Sequence, residues 1–186
     1  MNASGPNHDS QGRRVLFVRH GEVAERYRHL CYGRSDVELS AAGIARSREL
    51  AEQLASEPIT LVCHSGLART RILAELLAPS PEVCPLLRER DFGTWEMRTW
   101  DDLYAETGDA MTGSIHAPAT WRPPGGETTF ELRDRVLSWY QSLPEQGVIV
   151  AVSHGGPIAA LRGTLLNAAV ADWPQLIPPV GTWVEL

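Results

Sequence analysis

Val15-Leu16-Phe17-Val18-Arg19-His20-Gly21-Glu22 is the stretch from which this chain can be read. Four apolar residues, two of them β-branched, form the signature of a short buried strand. The run stops at Arg19-His20-Gly21, where glycine permits a sharp turn and a close approach of backbone to a ligand. In an open α/β sheet, ligands bind beyond the carboxyl ends of the strands. An arginine therefore stands there with its planar fork of donors, suited to phosphate or carboxylate. Beside it is a histidine able to serve as base, nucleophile or metal ligand. By themselves these residues are equally compatible with a histidine that only caps a turn.

Two further apolar runs end in the same way. Residues 59–63 lead into His64-Ser65-Gly66, and residues 148–152 lead into Ser153-His154-Gly155-Gly156. The second run is apolar throughout, as expected of a strand covered by helices on both faces. Helical patterns alternate with these strands. One starts behind an N-cap at Ser40 and continues to about 56; others are expected over 67–78, 129–143 and 157–166, the last with proline at its start. Residues 83–87 read as an edge strand because Pro85 disfavours a central one, and 182–186 as a last strand. The expectation is a three-layer α/β/α sandwich on a mostly parallel sheet, with all three turns at one edge. Residues 88–126 hold three tryptophans and three prolines and only one short helical pattern, over 101–107. So long an irregular segment inside a compact unit is read as a lid-like insertion.

Composition narrows the chemistry. The chain has 186 residues, 43% of them apolar, enough for one core. Net charge is −6, which argues against a nucleic-acid partner. No apolar run approaches the ~20 residues needed to span a bilayer, so no membrane partner is expected. The 17 basic residues are all arginine. Schiff-base and P-loop lysine chemistry are thereby excluded, and an anion site must be built from arginine. Cys31, Cys63 and Cys84 have no paired spacing and read as reduced thiols. Residues 1–12 are polar, lack a signal-peptide core and read as a frayed tail of a cytoplasmic protein, leaving 13–186 as a single domain. The six histidines show no metal-ligand spacing, so neither metal nor other cofactor is expected.

The turns bring together His20, His154, Arg19, Arg69 and backbone N–H groups at helix starts, an inventory suited to a phosphoryl group. With these residues in hand, the chain resembles the histidine phosphatase superfamily, which includes the phosphoglycerate mutases. The resemblance rests on five blocks in order: Arg19 to Glu22; Gly33, Asp36, Leu39, Ser40 and Gly43; Ser65, Leu67 and Arg69; Leu87, Glu89, Phe92, Gly93, Trp95 and Glu96; and Ser153 to Gly156. It implies a phosphoglycerate mutase-like fold and a metal-independent phosphomonoesterase. It further implies that His20 becomes a phosphohistidine, that Glu89 serves as acid and then base, and that Arg19, Arg69 and His154 hold the phosphoryl oxygens. Glu22, Arg26 and Gly155 are expected to contact substrate. The segment Trp95-Glu96-Met97-Arg98, followed by Asp102-Leu103, resembles that of the α-ribazole phosphatase branch, and Pro124 to Glu127, the helix bearing Phe130 and Arg135, and the ending Gly181-Thr182-Trp183 look like the small-phosphatase branch. The first likeness implies α-ribazole 5′-phosphate as substrate, in assembly of the cobalamin nucleotide loop. The expected partner is thus a small-molecule phosphomonoester, and the expected state a monomer or homodimer.

Val23, Arg26 and Leu73 depart from the family pattern, which leaves the substrate open. A broad-specificity phosphatase acting on phosphoserine or sugar phosphates is the alternative of the same class. A phosphohistidine protein phosphatase and a non-catalytic phospho-ligand module are more distant readings. So is a cysteine phosphatase, because Cys63 and Arg69-Thr70 also have the Cys-x5-Arg-Thr spacing with Cys63 as nucleophile. Glu22, Glu96 and Glu127 compete with Glu89 as the acid.

Overall fold

A computed structural model describes residues 12–186. Its sheet has five strands, β1 (Arg14–Arg19), β2 (Ile59–His64), β3 (Glu82–Val83), β4 (Val148–Ser153) and β5 (Trp183–Glu185), in the spatial order β3-β2-β4-β1-β5. β1, β2 and β3 run parallel to their neighbours through β4 and β2, and only β5 is antiparallel, against β1. Six α-helices are interspersed among the described residues: α1 (Ala41–Leu54), α2 (Ala68–Leu77), α3 (Trp100–Thr107), α4 (Gly113–His116), α5 (Thr129–Ser142) and α6 (Gly155–Leu165).

Alternation along β1 distributes the core. Val15 and Phe17 face one side with Ile149 and Ala151, under α5 and α6; Leu16 and Val18 face the other with Val150 and Val152, under α1 and α2. Each such fully buried Val or Leu stabilises the fold by roughly 1.5–3 kcal/mol relative to exposure. The layers are therefore helix, sheet, helix, the three-layer sandwich expected from the sequence. Among the described residues, no helix is long and apolar enough to cross a membrane.

The strands end where the sequence places their turns. His20 N donates to Ser153 O across the last rung of the β1–β4 ladder. A Cβ on Gly21 would lie 2.6 Å from the carbonyl oxygen of Gly43, so the turn after β1 is pressed onto the first turn of α1. Ser40 caps that helix by accepting from Gly43 N, while its own hydroxyl donates to Glu22. α5 opens with a capping box between Thr128 and Glu131.

Three elements depart from expectation. The edge strand is only two residues long, because Pro85 begins a 3-10 turn over Pro85–Leu87 instead of continuing the ladder. α6 starts at Gly155, two residues earlier than Pro157 signals. Residues 88–126 are less irregular than they read. They carry α3, the unforeseen α4, and a small core of Trp95 and Leu103 on Cys31, flanked by Phe92, Met111 and Trp121. Gly12, counted with the tail, forms an isolated antiparallel bridge to Gln146, and the remainder of that tail lies outside the described residues.

Candidate active site

His20 sits at the end of β1 and is almost fully buried. Its Nδ1 is 2.6 Å from the Gly21 carbonyl oxygen, so Nδ1 carries the proton and donates, leaving the lone pair on Nε2. Burial, and then the charges of Arg69 and Arg19, push its pKa down to about 3. The imidazole is therefore neutral across the physiological range, the form a nitrogen nucleophile needs. His154, which caps α6, stands edge-to-face against His20 with ring centroids 5.1 Å apart. Burial and Arg69 hold it well below the usual imidazole range as well.

Arg69, in the first turn of α2, is completely buried. Its Nη1 and Nη2 donate to the carbonyls of Ser35 and Gly33, at 2.8 and 2.5 Å. Its Nε donates to His154 Nδ1 at 3.2 Å, and the guanidinium lies over the Tyr32 ring. The proton on His154 is then on Nε2 and is donated to Ser65 Oγ, 2.9 Å away. Ser65 passes its own to Thr70 Oγ1, which donates to Leu67 O. Both ring nitrogens of His154 are thus committed, so a phosphoryl oxygen taking its Nε2 proton would replace Ser65. Arg19 donates from Nη1 to Pro178 O, and its Nε is buried without any partner among the described residues. Among the described residues, neither Arg19 nor Arg69 has a carboxylate within ion-pair distance. Two guanidinium charges beside a neutral histidine, neither of them ion-paired among the described residues, describe a site for an external anion.

Glu89 reaches the same place from the loop after the Pro85–Leu87 turn. Its carboxylate accepts from its neighbour's amide, Arg90 N, at 2.8 Å and from Gly156 N, in the first turn of α6, at 3.2 Å. Any Cβ on residue 156 would collide with this carboxylate, so the second glycine of the turn makes room for it. Gly155 lies against Arg19: a Cβ there would be 3.5 Å from the Arg19 guanidinium carbon.

The competing acids are engaged elsewhere. Glu96 accepts from Arg34 N, Ser35 Oγ and Phe92 N; Glu127 is paired with Arg135 and Arg34; and Glu22 is paired with Arg28 and accepts from Ser40. The structure does not bring Arg26 into the cluster. Its guanidinium pairs with Glu38 and stacks on Tyr27, with two-thirds of the side chain exposed. Arg28, two residues on, faces the site instead. Cys63 lies in the core beneath the sheet, and burial pushes its thiol up to about 12, so it is no thiolate nucleophile. Among the described residues no group of three or more His, Cys, Asp or Glu is arranged to hold a metal ion.

A cavity of about 350 Å³ adjoins the cluster through Tyr32, Gly33, Glu89 and Gly156. Its walls are mainly apolar. Phe92, Trp100, Met111 and Ile115 come from the 88–126 segment, and Trp173 and Ile177 from the stretch following α6. Arg28 and Arg90 are its cations; Arg90 donates from Nη2 to Thr129, and its Nη1 has no partner among the described residues. Sequence reasoning missed Tyr32, Arg90 and Trp173 as site residues. Only Tyr32 carried a signal, its place in the arginine-rich loop after β1.

Residues 15–186 match the sequence profile of the histidine phosphatase superfamily, branch 1. The chain is 32% identical over 181 residues to glucosyl-3-phosphoglycerate phosphatase of Mycobacterium tuberculosis, covering 89% of this chain and 81% of that protein. The native structure of the mycobacterial enzyme of that name superposes with a TM-score of 0.81 at 30% identity, over 94% of this chain and 90% of that one. The α-ribazole phosphatase of Shigella flexneri superposes with a TM-score of 0.78 at 27% identity, over 92% and 89%. The chain belongs to the histidine phosphatase superfamily, and it is a phosphoric monoester hydrolase.

Proposed function

We propose that this protein is a metal-independent phosphomonoesterase that works through a phosphohistidine at His20. The observation that carries the reading is the pairing of a neutral, tautomer-fixed His20 with two arginines that have no carboxylate ion pair among the described residues. His20 Nε2 attacks phosphorus, an N–P bond forms, and the P–O bond to the alcohol breaks. Arg19 and Arg69 balance the charge on the equatorial oxygens, and His154 holds Arg69 in place and offers its Nε2 proton. Glu89, protonated, gives its proton to the departing alkoxide. The carboxylate then takes a proton from water as that water attacks phosphorus and the N–P bond breaks. In the free protein the Glu89 carboxylate is held by two backbone amides, those of Arg90 and Gly156.

For the alcohol, the aromatic and apolar cavity supports a substrate with a flat hydrophobic body, and α-ribazole 5′-phosphate is such a compound. A second reading, glucosyl-3-phosphoglycerate, is supported by the 32% identical relative and by Arg90, a cavity cation beside Glu89 with no ion pair among the described residues. Steady-state assays on both compounds, with phosphoserine and a sugar phosphate for reference, decide between them. If α-ribazole 5′-phosphate is turned over no faster than the reference esters, the substrate assignment fails. If no ester yields inorganic phosphate or an acid-labile phosphoprotein, the reaction class fails with it.

A further inference from the structure

Glu89 lies on a loop, yet a general acid has to be aimed. The segment that carries it is fixed from behind by α5. Arg135, in the middle of that helix, donates from Nη1 to Leu86 O at 2.6 Å and from Nη2 to Glu89 O at 3.0 Å. One carbonyl is the acid's own and the other, of Leu86, belongs to the turn that leads into it. Arg135 is itself held by both oxygens of Glu127, Nε to Oε2 at 3.0 Å and Nη2 to Oε1 at 2.6 Å. Side chains of both partners are nearly nine-tenths buried. Glu127 also accepts from Asp91 N, two residues beyond the acid, at 3.0 Å, and from Arg34 Nη2 at 3.1 Å. Arg34 in turn grips Asp91 Oδ2 at 2.9 Å. Its backbone lies between Gly33 and Ser35, whose carbonyls seat Arg69.

We propose that Arg135, clamped by Glu127, is a positioning residue that sets the Glu89 carboxyl for proton transfer. The proposal rests on the assignment of Glu89 as the acid. A bidentate pair removed from water is rigid where an exposed one is not, and a fork that also holds two carbonyls fixes a loop in rotation as well as in place. Neither residue touches the phosphoryl group, so the loss of either should fall on the step that needs the proton. Misplacement by about 1 Å costs on the order of 100-fold in such a step.

The test compares two leaving groups. An alkyl ester such as glycerol phosphate needs protonation of its alkoxide; p-nitrophenyl phosphate leaves as a stable anion and does not. In Arg135→Lys, which keeps the charge and loses the fork, kcat/KM for the alkyl ester should fall about 10- to 100-fold. For p-nitrophenyl phosphate it should stay within about threefold. Glu127→Gln should repeat the pattern more weakly. Glu89→Gln, measured alongside, should show the same selectivity in stronger form. Equal loss on both esters in Arg135→Lys and Glu127→Gln, or no loss on either, overturns the positioning role while leaving Glu89 standing. If Glu89→Gln itself shows no selectivity, the acid assignment fails and the proposal with it.

Discussion

The two ends of this site are built differently. At the phosphate end, His20 and His154 each directly follow the last residue of a strand and Arg69 stands in the first turn of a helix, and each is buried to within a few per cent. At the alcohol end, the walls come from 88–126 and from the stretch after α6, joined to the rest through short helices, 3-10 turns and a small core of their own. The first region is rigid because the sheet is rigid. Moving any of its residues moves a strand ladder or a helix start. The second can exchange a wall residue without disturbing the ladder. On the proposed function, chemistry and substrate choice fall on separate parts of the fold, as loops on a fixed scaffold allow.

That separation predicts effects of different kind and size. The largest is at the phosphate end. His20→Ala should lower turnover at least ~1,000-fold on every phosphomonoester, and labelled substrate should leave no acid-labile phosphoprotein. Residual turnover within tenfold of the parent would sink the nucleophile assignment.

Burial of the same histidine has a cost in stability at low pH. The His20 pKa is about 3 in the folded chain against 6.5 without the fold, and that of His154 is lowered in the same direction. The unfolded chain therefore takes up protons first as pH falls. The stability that depends on a neutral His20 is complete above about pH 6.5 and is lost progressively toward pH 3, at up to about 1.4 kcal/mol per pH unit. Urea unfolding of the parent and of His20→Gln between pH 7 and pH 4.5 measures this. The variant should have the shallower slope, and identical slopes would show that His20 is not held neutral by the fold.

The two ends also differ in how far the sequence discloses them. β1, β2 and β4 are short apolar runs that end in glycine turns, and α1 and α5 carry side-chain caps at Ser40 and Thr128. Local chemistry decides such elements, so they can be read locally. The turn residues follow from the same fact: a histidine after a buried strand can only stand at the sheet's edge. Glu89 is less legible, because its place depends on the amides of Arg90 and Gly156 and on Arg135 from a distant helix. The walls are least legible. Trp173 sits in a 3-10 stretch over Val170–Leu176 with no period to betray it, and α4 is four residues long. The two-residue edge strand shows the reverse error, in which an apolar run reads as a strand although Pro85 has removed the donor needed to extend it.

A change confined to the alcohol end should alter selection and spare chemistry. Trp100 belongs to the cavity wall and packs edge-on against Phe92, with ring centroids 5.6 Å apart. Trp100→Ala should raise KM for an ester with a bulky aromatic alcohol about 10-fold, from lost apolar contact, and leave kcat within about threefold. KM for a small ester such as glycerol phosphate should not move. An equal rise on both esters would mean that the residue supports the loop and not the ligand.

The smallest effect is the one that best tests the boundary between the two ends. The resemblance leads Arg26 to be expected in contact with substrate, yet Glu38 and the Tyr27 ring hold its guanidinium on the exposed side of the loop. An exposed pair of this kind contributes ~0–1 kcal/mol, and its removal should leave the cluster intact. Arg28 is the arginine of this loop that lines the cavity, anchored by Glu22 at 2.7 Å. Arg26→Ala should therefore change kcat and KM by less than about twofold, whereas Arg28→Ala should raise KM severalfold with kcat little altered. If Arg26→Ala instead raises KM for every ester as Arg69 variants would, the loop after β1 closes over bound phosphate. The phosphate end would then extend beyond the rigid strand-end cluster into that loop.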